Sequence, residues 1–149
     1  MLIDEIKKHQ NNRYPLLFID RLIEVTPGVS ATAIKCYSYN EWFFPAHFED
    51  EPNVPGFVLV ESMVQTFIMT FLTLDEHKGK KTSFINIDKV KFFKQVIPGD
   101  KLKIDARLIS FKRGIAKGSV ITVRDEEVIC KAEFVVALPT DLISLSRNN

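Results

Sequence analysis

The chain has 149 residues, with 20 Lys and Arg against 19 Asp and Glu and a formal net charge of +1. That balance gives no global reason to expect a nucleic acid or an anionic membrane surface as partner. The length predicts one domain over 1–149, and 46% hydrophobic with 26% charged residues excludes a disordered chain. The unusual count is twelve Phe beside three Tyr and one Trp, which brings burial area without a polar handle and predicts a large core or a greasy ligand. Cys36 and Cys130 lie 94 residues apart, with no CxxC and no nearby histidine pair. The expectation is no metal and a reducing cytoplasm.

Residues 1–10 suggest a short helix with Leu2, Ile3 and Ile6 on one side. Asp4, Glu5, Lys7 and Lys8 interrupt the apolar run that a secretory signal needs. Tyr14-Pro15 breaks this helix. Residues 16–25 form an apolar stretch closed by Thr26-Pro27-Gly28, and 30–39 alternate as a strand does. Residues 40–56 are irregular, with Trp42-Phe43-Phe44, three prolines and the acidic trio Glu49-Asp50-Glu51. So long and so aromatic a loop must pack against something. Residues 57–74 are apolar nearly all round. Glu61 is costly in lipid, so the segment reads as a buried helix and no membrane insertion is expected. Strands are then predicted at 84–87, at 89–96 (a second strand or a continuation), at 101–111 with Leu102, Ile104, Ala106 and Leu108 inward, at 116–124 and at 128–138. Lys112-Arg113-Gly114 and Asp125-Glu126 are the turns between the last three. Residues 140–149 read as a flexible tail. One long helix followed by an antiparallel meander makes an α+β protein, a sheet of five to six strands wrapped around a central helix. That shape is the hotdog fold.

His9 and His77 lie among charged residues and are expected to be solvated. His47 lies inside the aromatic loop, fourteen residues before Glu61. Histidine is the side chain most readily poised for proton transfer near neutral pH, and apolar neighbours favour the protonated form of a carboxyl group. The two could serve as a general acid–base pair. A satisfied core histidine and an exposed helical glutamate are the bland alternative. Gly56, just before the helix, leaves backbone N–H groups free to polarise a carbonyl. Gln65 shares a helix face with Glu61.

The segments Pro45-Ala46-His47-Phe48, Pro52-Asn53-Val54-Pro55-Gly56 and Val60-Glu61-Ser62-Met63-Val64-Gln65 together resemble the 3-hydroxyacyl-[acyl carrier protein] dehydratases of fatty-acid synthesis, in the branch whose acid is Glu. Arg13-Tyr14-Pro15-Leu16-Leu17, Asp20-Arg21, Ile87-Asp88-Lys89 and Val96-Ile97-Pro98-Gly99-Asp100 extend the resemblance over most of the chain. It implies a homodimer with composite active sites, in many members assembled further as a trimer of dimers. His47 would remove the α-proton of a 3-hydroxyacyl thioester, and Glu61 of the other subunit would protonate the departing hydroxyl. The N–H of Gly56 or Phe57 would hold the thioester carbonyl, with Phe44, Phe48, Val64 and Gln65 lining the substrate's path. Acyl carrier protein is the implied partner, with the acyl group on its phosphopantetheine arm and no metal or redox cofactor. Departures are Asn12, Ala46, Glu49-Asp50-Glu51, and the bulky Val64, Phe67 and Ile68 on the helix, which predict short or medium acyl chains. A hotdog acyl thioesterase and a non-catalytic acyl-binding subunit are the competing readings.

Overall fold

The computed structural model describes residues 1–142. Its elements are α1 (Ile3–His9), β1 (Arg21–Thr26), β2 (Ser30–Cys36), α2 (Gly56–Leu72), β3 (Ser83–Phe92), β4 (Lys101–Lys112), β5 (Ile115–Arg124) and β6 (Glu127–Ala137). The strands form one six-stranded sheet in the order β1-β2-β4-β5-β6-β3, with every neighbouring pair antiparallel. The predicted helix and strands are all present, most within a few residues of their expected bounds.

Period-2 alternation decides which face of the sheet is covered. Leu102, Ile104 and Ala106 of β4, Ala116 and Val120 of β5, and Cys130, Ala132, Phe134 and Val136 of β6 are buried on the side against which α2 packs. Leu108 is only half-buried, because the β4–β5 register shifts between Leu108 and Ser110. Both tight hairpins have positive φ at two successive positions, Arg113-Gly114 (52° and 74°) and Asp125-Glu126 (49° and 68°). This is the geometry that matches a right-handed strand twist. The two pieces expected at 84–87 and 89–96 are one strand. A register shift between Asp88 and Lys91, with Lys89 at φ 50°, interrupts its alternation and explains why it reads as two.

α2 is enclosed because nearly every position from Val58 to Leu72 meets protein. Phe67, expected to narrow an acyl path, instead fills the layer between helix and sheet. Its ring packs on Phe71 and Phe134, with centroids 5.8 and 6.1 Å away. Gly118 of β5 makes that possible, since a Cβ there would overlap both the Phe67 ring and the Arg107 carbonyl. No helix among the described residues is long and apolar enough to cross a membrane.

Several expectations near the chain ends are corrected. Leu2 and Ile3, expected to form the apolar side, are exposed, while Ile6 and His9 of α1 and Gln10 just after it are buried. His9 Nδ1 donates to the Leu72 carbonyl at 3.0 Å, satisfying an orphan acceptor at the end of α2. His77 is also buried, its ring 4.8 Å from that of Phe111. Neither histidine is solvated. Residues 139–142 of the expected tail are helical, and Asp141 pairs with Lys80 at 2.8 Å. Residues 143–149 of that tail lie outside the described residues.

Candidate active site

The aromatic loop packs against the end of β2. Phe43 and Phe44 are buried. The Phe43 ring meets Tyr37, Trp42 and Phe44 at 6.2, 5.4 and 4.9 Å, and Phe44 stacks on Tyr39 at 6.3 Å. Lys35 Nζ holds Glu41 at 2.9 Å, tying the loop's start to the sheet. The greasiness of this loop is therefore structural. Phe44 is fully buried and has no surface to offer a substrate, which corrects its expected binding role.

A short 3-10 turn over Phe44–Ala46 delivers His47. The chain then closes on itself: Asn53 N donates to the His47 carbonyl at 2.9 Å, and His47 Nδ1 lies 3.0 Å from the Asn53 carbonyl. A carbonyl only accepts, so Nδ1 carries a hydrogen and the neutral imidazole presents its lone pair at Nε2. The ring stacks on Phe48 at 4.3 Å, and Phe48 is itself half-exposed. The carboxylates of Glu49, Asp50 and Glu51 are exposed and form no ion pair among the described residues, so the trio faces solvent rather than the imidazole. Asn53 escaped sequence reasoning because it acts through its backbone carbonyl, which no side chain announces.

Gly56 opens α2. Val58 and Leu59 donate to the Pro55 carbonyl, whereas the N–H groups of Gly56 and Phe57 have no acceptor among the described residues. These are the orphan donors of a helix start, aimed where partial positive charge concentrates. Gly56 lines a cleft of about 380 Å³ with Asn53, Phe92 and Phe93. A Cβ on Gly56 would come 3.2 Å from the Phe92 ring, so glycine is what lets β3 approach the helix start. Phe57 points outward and is exposed.

Glu61 stands on the next part of α2 and lines a separate cavity of about 490 Å³ with Asn12, Leu16, Val64, Ile68 and Leu72. Gln65 Nε2 donates to Glu61 Oε1 at 2.9 Å and to the Leu16 carbonyl at 2.7 Å, while its Oε1 accepts from Phe18 N at 2.7 Å. Asn12 Nδ2 approaches the same Glu61 oxygen at 3.5 Å. A donor on Oε1 makes that oxygen the acceptor, so a protonated Glu61 carries its hydrogen on Oε2. Gln65 is fully buried with its polar atoms engaged. It holds the Glu61 carboxyl group in place and also belongs to the lining of the cavity. Val64 and Ile68 line the cavity.

Within one chain the cavity of Glu61 does not include His47, and the cleft at Gly56 is lined by neither of them. Burial pushes the Cys130 thiol up to about 11, so it is no thiolate nucleophile at neutral pH. Among the described residues no group of His, Cys, Asp or Glu is arranged to hold a metal ion.

Solved structures place the architecture in a class. The dehydratase heterocomplex ApeI:P from Xenorhabdus doucetiae matches with a TM-score of 0.78 at 16% identity, over 94% of this chain and 95% of that one. The phenylacetic acid degradation protein PaaI from Thermus thermophilus matches with 0.60 at 14% identity, over 78% and 90%. The protein is a hotdog-fold protein. At the level of sequence, a family model described as a FabA-like domain matches residues 11–133. The curated relative 3-hydroxyacyl-[acyl-carrier-protein] dehydratase FabZ of Caldicellulosiruptor bescii is 43% identical over 136 residues, 91% of this chain and 97% of the relative. FabZ of Clostridioides difficile is 38% identical over 136 residues, 91% and 96%. The chain belongs to the FabA-like family, and FabZ dehydratases are its relatives there.

Proposed function

We propose that the protein removes water from a 3-hydroxyacyl thioester carried on the phosphopantetheine of an acyl carrier protein, giving the trans-2-enoyl thioester in the building of acyl chains. The observation that carries the chemistry is the bond from His47 Nδ1 to the Asn53 carbonyl, which leaves Nε2 as the base. FabZ relatives alike over nine-tenths of the chain support the substrate class. His47 Nε2 takes a proton from C2 while the N–H groups of Gly56 and Phe57 bind the thioester oxygen and stabilise the enolate charge. Glu61 Oε2 gives its proton to the C3 hydroxyl, the C3–O bond breaks and water departs. Proton transfer through solvent then returns His47 and Glu61 to their starting states.

The cavity that Glu61 lines leaves out His47, and the working unit in this reading is a homodimer with two composite sites. β3 supports this reading. It is bonded on one side only, to β6, and Phe84, Ile85, Ile87 and Phe92 are each at least 38% exposed along it. A free apolar edge is a template for pairing, and a second copy of the same edge satisfies it with twofold symmetry. The proposed compartment is the cytoplasm, where the two free cysteines persist reduced.

The test is to incubate the protein with 3-hydroxyacyl-carrier protein and follow the acyl group by mass spectrometry together with free thiol. The expected outcome is loss of one water with the thioester intact. Thiol release without enoyl product would instead establish the thioesterase reading, and saturable binding with neither product would establish an acyl-binding subunit.

A further inference from the structure

The cavity beside Glu61 is lined along one side by α2. Val64, Ile68 and Leu72 lie three, seven and eleven residues after Glu61, on one stripe of α2. They make an apolar wall that leads away from the acid for about 16 Å. The rest of the lining is mixed, with Gln10, Asn12 and Thr82 beside Lys81, Phe84 and Val136. Asn12 approaches Glu61 at one end of the stripe, and His9 bonds to the Leu72 carbonyl at the other. The segment between them therefore runs alongside the stripe, with Gln10 toward the far end.

Gln10 is only 1% exposed, and neither its Oε1 nor its Nε2 finds a partner among the described residues. An unpaired buried amide is costly, and Leu or Met would fill the same volume without that cost. The amide presents one acceptor and one donor side, which a hydroxyl group, itself donor and acceptor, satisfies at once.

We propose that this cavity takes a 3-hydroxyacyl chain bearing a second hydroxyl group remote from the thioester, and that Gln10 is the residue that reads it. The inference rests on the dehydratase reading above and adds the class of acyl chain.

The experiment uses the pantetheine thioester of 3-hydroxydodecanoate and a panel carrying one further hydroxyl at each carbon from C7 to C12. The wild-type protein is expected to process at least one dihydroxy chain about fivefold better in kcat/KM than the parent. Gln10→Leu and Gln10→Met are both expected to bring that ratio to unity or below while unfolding no earlier than wild type. A parent preferred over every dihydroxy chain, or a ratio unmoved by both substitutions, overturns the proposal. Calorimetric binding of the same panel to the His47→Ala variant gives the ranking without turnover. If no chain is dehydrated yet the binding preference holds and depends on Gln10, the dehydratase reading fails while the pocket assignment stands. Should both Gln10 variants unfold, the wild-type ranking alone decides.

Discussion

Replacing His47 by Ala is expected to lower the dehydration rate by roughly 10²–10⁴-fold, the range for removing a positioned general base. The imidazole is held by two contacts, the bond to the Asn53 carbonyl and the stack on Phe48, and neither carries the core. The surrounding loop is fixed independently by Phe43, Phe44 and the Lys35–Glu41 pair, so the variant should fold with a normal circular dichroism spectrum. The loss should fall on kcat and kcat/KM alike, because proton removal is a transition-state event. Exchange of the C2 hydrogen of the substrate with deuterated water should fall in parallel. Retention of near wild-type turnover would remove His47 from the mechanism.

Glu61→Gln is expected to cost a similar roughly 10²–10⁴-fold for dehydration, for a separable reason. The substituted amide keeps an oxygen for the Gln65 Nε2 donor that Glu61 Oε1 now accepts at 2.9 Å, so the helix and the cavity should survive. An amide has no proton to give the leaving hydroxyl. A 3-fluoroacyl thioester discriminates the two roles, because fluoride leaves without prior protonation. The Glu61→Gln variant should eliminate fluoride at a rate close to wild type, whereas His47→Ala should remain inactive on the same compound. Equal loss on both substrates in the Glu61 variant would mean that Glu61 is not the acid.

The fold was legible where local chemistry agrees with the global pattern. Arg113-Gly114 and Asp125-Glu126 mark their hairpins, and the alternation of Leu102, Ile104 and Ala106 names the covered face. Misreadings came where polar side chains face inward. His9 lies in a charged-looking helix, yet its three-residue spacing after Ile6 puts it on the buried face, a pattern masked by residue type. Gln10 is buried where the extended chain leaves that helix. Phe67 and Val64 are equally apolar neighbours on α2. Their azimuths send one into the sheet and the other into the cavity, and only packing against Gly118 separates them. His47 and Glu61 were legible as chemical types near an apolar helix. Their spacing along the chain could not reveal that the cavity of Glu61 leaves out His47, because a fourteen-residue span including the eight loop residues 48–55 leaves direction free.

If His47 of one subunit works with Glu61 of the other, mixing the two inactive variants restores activity. In a dimer of one His47→Ala chain and one Glu61→Gln chain, one site holds both lesions and the other holds both intact residues. Random one-to-one assembly makes about half of the dimers mixed, each with one of its two sites working, so about a quarter of wild-type activity should return. Distinct affinity tags isolate the mixed dimers, which should then carry about half the wild-type activity. Verified mixed dimers as inactive as either parent would contradict a site shared across the interface.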